Sequence, residues 1–422
     1  MGRGRRIAHQ NHPVIPTAAG DQPVAGNPPQ AGAAAGAGVG VDRAAAAAVA
    51  GDLADEHQAS LDAARQARER QAEELARANP FSYVEHPQEF EEVYDRARAE
   101  ILAGRNPVPF MTEDATGGLG ARGTGRGFGV EIEFDFPAEM TAQEQYEALV
   151  AIGRDLYAEG LTNSRQQAGY HAALEDGYTT APNSWSFEDD STVAGEIVSP
   201  IMYDEPESWE NLAKVTEIVR RHGGIATERT GGHVHVGLHD YDHTVENHNR
   251  LLQTAAAYED VLFRLATNPE SGEHRGTSWC VPNQVPTEGY TTILDAQYEN
   301  FGHEVAVNLQ HVTGDRSDHA EFRMWDGSLD PAVIQTQVKV SLALADYALR
   351  SARTPGALLA LDGERQPLGH HRRLLGRLRP SGEAWREATS SFRDMADRLF
   401  TRPQDREQAA ALFAATSWQV PA

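Results

Sequence analysis

The chain has 422 residues, of which 40% are hydrophobic, enough for one large domain or two ordinary ones together with tails. A formal net charge of -25 disfavours nucleic-acid binding, which would need a basic surface patch. The single cysteine, Cys280, excludes an intramolecular disulfide framework, and neither a signal segment nor a membrane-spanning stretch is visible, so we expect a cytoplasmic protein.

The N-terminal part divides into three segments by composition. Residues 1–43 are rich in Gly, Ala and Pro and are predicted to be a disordered tail. Residues 44–79 are rich in Ala, Glu and Arg, which favours a solvated helix that could bind a protein partner. Residues 80–126 are interpreted as a linker. It ends in the Gly-rich run 117–127, which fits a flexible hinge better than a phosphate cradle.

A regular alternation of strands and helices begins after this run. The predicted strands are 127–136, 184–188, 195–198, 233–238, 305–311 and 319–325. The predicted helices are 141–159, 208–221, 244–267 and 332–352, with a long loop over 268–300. This pattern predicts an α+β domain over residues 127–352, with about six strands in one sheet and helices on its apolar face. Residues 353–422 are predicted to be helical, without an assigned chemical role.

Several predicted strands carry charged or ligating residues two positions apart. Such residues point to the same face of a strand, so strands that share a sheet would bring them into one cluster. Carboxylates that lie close together repel one another and favour protonation. Bound divalent metal ions are the simplest way to compensate this negative charge. The pairs are Glu131 and Glu133, His233 and His235, and Glu321 and Arg323.

Each pair alone also has a simpler interpretation. Alternating charge on a strand usually marks a solvated face, and two histidines can share a surface without binding anything. Glu196, or Glu321 beside Arg323, could form an ordinary cross-strand ion pair. Four strands that each offer an oxygen or imidazole ligand are better explained together, as a site for several metal ions.

The order and residues of four motifs resemble the amidoligase family, a branch of the superfamily that contains glutamine synthetase and glutamate–cysteine ligase. The motifs are GVEIEFDF, DDSTVAGEIVSPI, TGGHVHVGL and HAEFRMWDGSLDP, within residues 127–350. The resemblance implies a mainly antiparallel sheet that binds ATP and two or more Mg²⁺ ions, with Mn²⁺ as the alternative ion. It also implies that a carboxylate is activated as an acyl phosphate and that an amine then displaces the phosphate. A small-molecule or peptide carboxylate and an amine would be the substrates.

The resemblance also implies roles for individual residues. His235 is expected to face substrate or phosphate, and Arg323 to bind the transferring phosphate. Where glutamine synthetase has an arginine two residues before the motif glutamate, this chain has His319, so Arg316 or Arg275 would have to help bind the nucleotide. The expected metal ligands are Glu131, Glu133, Asp190, Glu196, His233 and Glu321.

Two other functions remain open at this point. A His-x-His strand also suits a zinc hydrolase that adds a carboxylate ligand and keeps an open water position. A non-enzymatic acidic structural or assembly protein with a decayed site is the third hypothesis, and the full set of site residues disfavours it. A preference for magnesium with nucleotide over zinc alone would separate the two enzyme hypotheses. Neither nucleic acid nor membrane is expected as a partner.

Overall fold

Six strands form one antiparallel sheet in the part of the chain that the structure describes. The computed structural model describes residues 82–170, 179–241, 244–269, 280–283, 285–286, 288–312, 318–351 and 383–417. The strands are β1 (Phe128–Phe134), β2 (Ser186–Glu188), β3 (Gly195–Val198), β4 (Gly232–Gly237), β5 (Val307–Asn308) and β6 (His319–Phe322). Their order across the sheet is β2, β3, β1, β4, β6, β5, and each neighbouring pair is antiparallel.

Helices precede, separate and follow these strands. They are α1 (Pro87–Leu102), α2 (Ala142–Ala158), α3 (Pro206–Arg221), α4 (Val245–Ala257), α5 (Glu259–Ala266), α6 (Ile293–Glu299), α7 (Pro331–Ser351), α8 (Glu383–Leu399) and α9 (Pro403–Ser417). The predicted capping box at the start of α2 is present, because Thr141 and Glu144 each bind the backbone N–H of the other.

One face of the sheet is apolar and carries the helices. Alternate residues of β1, namely Phe128, Val130, Ile132 and Phe134, are buried. The ring of Phe128 stacks on Trp209 of α3 at 5.3 Å between centroids, and α7 packs against β1 and β4. The predicted α+β fold, about six strands in a mainly antiparallel sheet with helices on its apolar face, is therefore confirmed.

The middle of the chain differs from the predicted elements in two places. The single helix predicted at 244–267 is broken at Tyr258, whose buried hydroxyl donates to Asp394 of α8 at 2.5 Å. The loop predicted at 268–300 contains α6, which begins at the cap Thr292 and is too short for its periodicity to stand out.

The linker interpretation of residues 80–126 overlooked α1. One side of this helix carries Phe90, whose ring lies 5.4 Å from Phe392 of α8 and 6.1 Å from Phe413 of α9. The residues before α1 are also fixed, because Asp397 accepts hydrogen bonds from the Tyr83 and Val84 amides at 2.9 Å. Phe90 and its two aromatic partners are about 300 residues apart in sequence, so local periodicity could not predict that they meet.

Some predictions fall outside this structure. The tail predicted at 1–43 and the helix predicted at 44–79 lie outside the described residues. Among the helices that the structure does describe, none combines the length and the hydropathy needed to cross a lipid bilayer.

A buried charge cluster joins α9 to α7. Asp405 accepts from Lys339 Nζ at 2.9 Å and from Arg402 Nη2 at 2.7 Å, and the Lys339 side chain is 1% exposed. Replacing Asp405 with alanine leaves the buried Lys339 without its carboxylate, whereas Arg402 keeps its exposed partner Asp114, so we expect a loss of about 3–5 kcal/mol in the free energy of unfolding. Urea unfolding should show a much smaller change for Glu100→Ala, which removes an exposed partner of Arg105. Equal losses in the two variants would contradict the importance of the buried cluster.

Candidate active site

The other face of the sheet is lined by polar side chains that cross all six strands, and we call it the polar face. Strand pairing aligns Glu196 with both Glu133 and Glu188, and Glu131 with His233. Directly paired residues share a face, so these groups lie side by side. The row continues through the pairs His235 with Glu321 and Asn308 with Glu321.

The carboxylate of Glu131 lies between two imidazoles. Its Oε2 is 2.6 Å from His233 Nδ1, and its Oε1 is 2.9 Å from His235 Nε2. Both histidines belong to β4, two positions apart, so the strand itself sets their spacing. This is the most central contact of the polar face.

Two further carboxylates are held on either side of this contact. Glu133 accepts a hydrogen bond from the Gly231 amide at 2.6 Å and lies 3.8 Å from His233 Nε2. Glu321 lies 3.7 Å from His233 Nδ1 and accepts from Asn308 Nδ2 at 3.0 Å. Both carboxylates are therefore fixed before any ligand binds.

Arg323 directly follows β6 and lies beside Glu321 in this row. Its Nη1 donates to Glu321, and its Nε donates to the carbonyl of His303 at 3.0 Å. Burial lowers the pKa of the guanidinium, but the nearby charges of Glu321 and Glu131 outweigh this and raise it. Arg323 is thus a fixed cation at the edge of an acidic surface.

The electrostatics of the row divide its acids into two kinds. Burial raises the pKa of Glu131, but the charge of His235 and hydrogen bonds from both histidines outweigh burial and hold it well below its usual range. Burial, with the charges of Glu131 and Glu133, raises the pKa of Glu196 to about 10. The site therefore has more carboxylates than its own cations neutralise.

Two groups of side chains could each hold a metal ion. Each residue in a group offers one ligand atom, and those atoms lie within 4.8 Å of one another. Carboxylate oxygens outnumber imidazole nitrogens overall, which suits magnesium or manganese, and the excess of acid fits a divalent cation. The groups are Glu131, His235 and Glu321, and Glu131, Glu196 and His233.

Comparison with known families identifies the chain. A family model described as "Putative amidoligase enzyme" matches residues 124–345, which include β1 to β6 and the polar face. The chain belongs to this amidoligase family. It is therefore placed among ligases that form amide bonds.

Comparisons with individual proteins add less. No curated protein matches the amidoligase chain. A solved structure of a GmaS/ADP complex matches with 14% sequence identity and a TM-score of 0.32, covering 68% of this chain and 67% of that one.

The structure places most of the predicted amidoligase site residues on the polar face. It brings together Glu131, Glu133, Glu196, His233, His235, Glu321 and Arg323. His319, at the position of the expected arginine, has its ring 5.3 Å from that of His235 and 4.6 Å from that of His311. Arg316 and Arg275 lie outside the described residues.

Asp190 is placed differently from the other predicted ligands. Its Oδ1 accepts from the Thr192 amide at 2.6 Å and the Val193 amide at 3.3 Å, as a turn-forming aspartate does, and it belongs to neither metal group. Glu188, which is 1% exposed and pairs directly with Glu196, was not among the predicted ligands. Glu188 and Ser186 are two positions apart on β2, the same spacing that marked the other strands.

Glu196 gives a test of the excess acid in the amidoligase site. Its folded-state pKa lies above the ordinary 4.5, so the folded protein keeps a proton that the unfolded chain releases. The stability contributed by that proton is complete below this ordinary value and is lost as the pH rises towards about 10. Glu196→Gln is always neutral, so we expect a Tm about 2–4 °C higher than wild type without metal at mildly alkaline pH, and little difference in mild acid.

Added magnesium should reverse the order of the two Tm values, so that wild type becomes more stable than Glu196→Gln. Wild type should gain more thermal stability from the ion than Glu196→Gln, because the variant lacks one anionic ligand. Glu210→Gln, an exposed change on α3, serves as the matched control and should follow wild type at every pH. If Glu196→Gln has a lower Tm than wild type in metal-free alkaline buffer, the site does not hold more carboxylates than its own cations neutralise.

Proposed function

We propose that this protein is an ATP-dependent carboxylate–amine ligase that forms an amide bond through an acyl-phosphate intermediate. The observation that carries the proposal is Glu131, held between His233 and His235 in a row of acids that crosses the sheet. With divalent cations bound to it, such a row would bring together anions that otherwise repel, namely a triphosphate and a carboxylate substrate. Family membership supplies the reaction class, and the polar face supplies the groups for its chemistry.

The acids and His233 are proposed to hold the cations. Glu131, Glu133, Glu196, His233 and Glu321 offer ligand atoms on one face, and Glu188 adds a carboxylate from β2. Magnesium, or manganese in its place, would neutralise and orient the phosphate oxygens and polarise the transferring group.

Arg323 and His235 are proposed to act on the phosphate. The guanidinium of Arg323 is fixed by Glu321 and by the His303 carbonyl, so it does not have to become ordered when the nucleotide binds. Its planar fork suits the oxygens of a transferring phosphoryl group. His235 is hydrogen-bonded through Nε2 to Glu131, and burial, outweighed by the charge of Glu131, leaves its pKa raised. It therefore offers positive charge to a phosphate or to the substrate carboxylate.

The ligand set also separates this proposal from a zinc hydrolase. Zinc enzymes use three protein ligands, mostly imidazole or thiolate, around one open position. On the polar face the two imidazoles share their carboxylate partner Glu131, and carboxylates from β1, β2, β3 and β6 surround them. Hard oxygen ligands in this number favour magnesium or manganese.

The proposal is tested by measuring phosphate release from ATP with pools of carboxylates and amines. We expect release that needs magnesium or manganese and both organic substrates, with an amide product in the reactive pool. If the protein instead reacts with its substrates at the full rate with zinc and without nucleotide, it is a hydrolase and the ligase proposal is wrong. If phosphate is released at the same rate without the carboxylate and amine pools, the activity is ATP hydrolysis alone.

A further inference from the structure

Three large apolar side chains stand exposed on and just after α6. Leu294 is 71% exposed, Tyr298 is 80% exposed and Phe301 is 59% exposed. Leu294 and Tyr298 are four residues apart on one side of the helix, and Phe301 directly follows the C-cap residue Asn300. We call these three residues the α6 stripe. Exposed apolar side chains that cluster in this way mark interaction sites more often than isolated ones do.

The α6 stripe is joined to the edge of the polar face. Gln297 of α6 donates to the carbonyl of Gln310 at 3.0 Å, and the Asn300 carbonyl accepts from the Leu309 amide at 2.9 Å. His303, two residues beyond Phe301, accepts the hydrogen bond from Arg323. Two residues of chain span at most about 7 Å, so the Phe301 end of the stripe lies within about that distance of the residue whose carbonyl holds Arg323.

The charge around the stripe indicates which kind of molecule would bind there. Residues 281–312 contain no lysine or arginine, and their acids are all exposed: Glu288, Asp295, Glu299 and Glu304. An apolar stripe within an acidic surface complements a segment that carries apolar and basic side chains. A second copy of this chain would bring like charges together, because its net charge is -25.

We propose that the α6 stripe docks a lysine-bearing polypeptide and that a lysine side chain of that polypeptide is the amine substrate. This inference rests on the proposed ligase function. The carboxylate substrate first takes the γ-phosphoryl group of ATP, ADP leaves, and the neutral lysine Nζ then forms a bond to the acyl carbon of the resulting acyl phosphate. The bond between that carbon and the phosphate oxygen breaks, phosphate leaves with the electron pair, and one amine proton passes to solvent. The product is an isopeptide bond.

The test measures binding and chemistry separately. The probe is a fluorescent pool of short peptides that combine lysine with leucine, phenylalanine or tyrosine, and the second pool has glutamate in place of lysine. Fluorescence anisotropy without ATP or metal should show that wild type binds the lysine pool and not the glutamate pool. The triple variant Leu294→Ser, Tyr298→Ser, Phe301→Ser should bind about tenfold more weakly or worse. All three side chains are exposed, so the fold should be unaffected.

A matched control uses a second exposed pair far from α6 in sequence. Tyr146→Ser with Val150→Ser changes residues that are 63% and 50% exposed on α2 and should leave peptide binding at the wild-type level. Equal binding by wild type and the stripe variant, binding of both pools alike, or no binding by wild type would each overturn the docking proposal.

The chemical readout distinguishes the two proposals. A stripe variant that loses ligation of the lysine peptides but keeps ATP-dependent ligation of small amines supports the stripe as the polypeptide site. A stripe variant that ligates lysine peptides as fast as wild type overturns the docking proposal and leaves the ligase standing. Peptide binding on the stripe without any nucleotide-dependent amide formation overturns the ligase and with it the assignment of lysine as nucleophile.

Discussion

Glu131→Gln is expected to reduce ATP-dependent turnover by about a hundredfold or more while leaving the protein folded. Glu131 belongs to both candidate metal groups and is the hydrogen-bond partner of both His233 and His235. Glutamine keeps the size of the side chain but removes the anion, so one substitution weakens both sites. Magnesium titration and steady-state turnover of the purified variant measure the two effects.

Glu210→Gln provides the comparison for this change. It is the same substitution on the exposed side of α3, and turnover should stay within about twofold of wild type. A Glu131→Gln enzyme with wild-type turnover and magnesium affinity would exclude Glu131 from the site.

Arg323→Lys should leave metal affinity close to wild type and lower turnover by about a hundredfold. Lysine keeps the charge but loses the planar fork, and its single head group cannot satisfy both Glu321 and the His303 carbonyl in the same way. The defect should therefore appear in phosphoryl transfer. Glu321→Gln should show the opposite order, with magnesium affinity falling first because an anionic ligand is lost.

Arg122→Lys is the matched arginine control. Arg122 likewise donates two hydrogen bonds, in its case both to the carboxylate of Glu205, but it is half exposed and belongs to neither metal group. We expect turnover near the wild-type rate in this variant. Wild-type ligation by Arg323→Lys would refute the phosphate role assigned to Arg323.

The sheet could be predicted because its strands are marked by a period of two. Buried Val130 and Ile132 alternate with Glu131 and Glu133, and β4 shows the same alternation around His233. Each strand thereby specifies which residues share a face. Antiparallel pairing then brings those faces into one surface.

Other features depend on contacts that the sequence does not show. Glu188 lies on a predicted strand, but the residue two positions before it is Ser186, so no pair of charged or ligating side chains marked it. Asp190 stays a predicted ligand: its hydrogen bonds fold a local turn, and its charge adds to burial in raising the pKa of Glu196. The position of α1 depends on contacts of Phe90 with helices near the other end of the chain. The position of α1 is therefore decided by tertiary packing.

We propose above all that the polar face holds divalent cations around Glu131. Anomalous diffraction from crystals grown with manganese and a non-hydrolysable ATP analogue tests it most directly. We expect manganese peaks within bonding distance of Glu131, one with Glu196 and His233 and one with Glu321. Manganese that supports ATP-dependent ligation but binds away from Glu131 would contradict it.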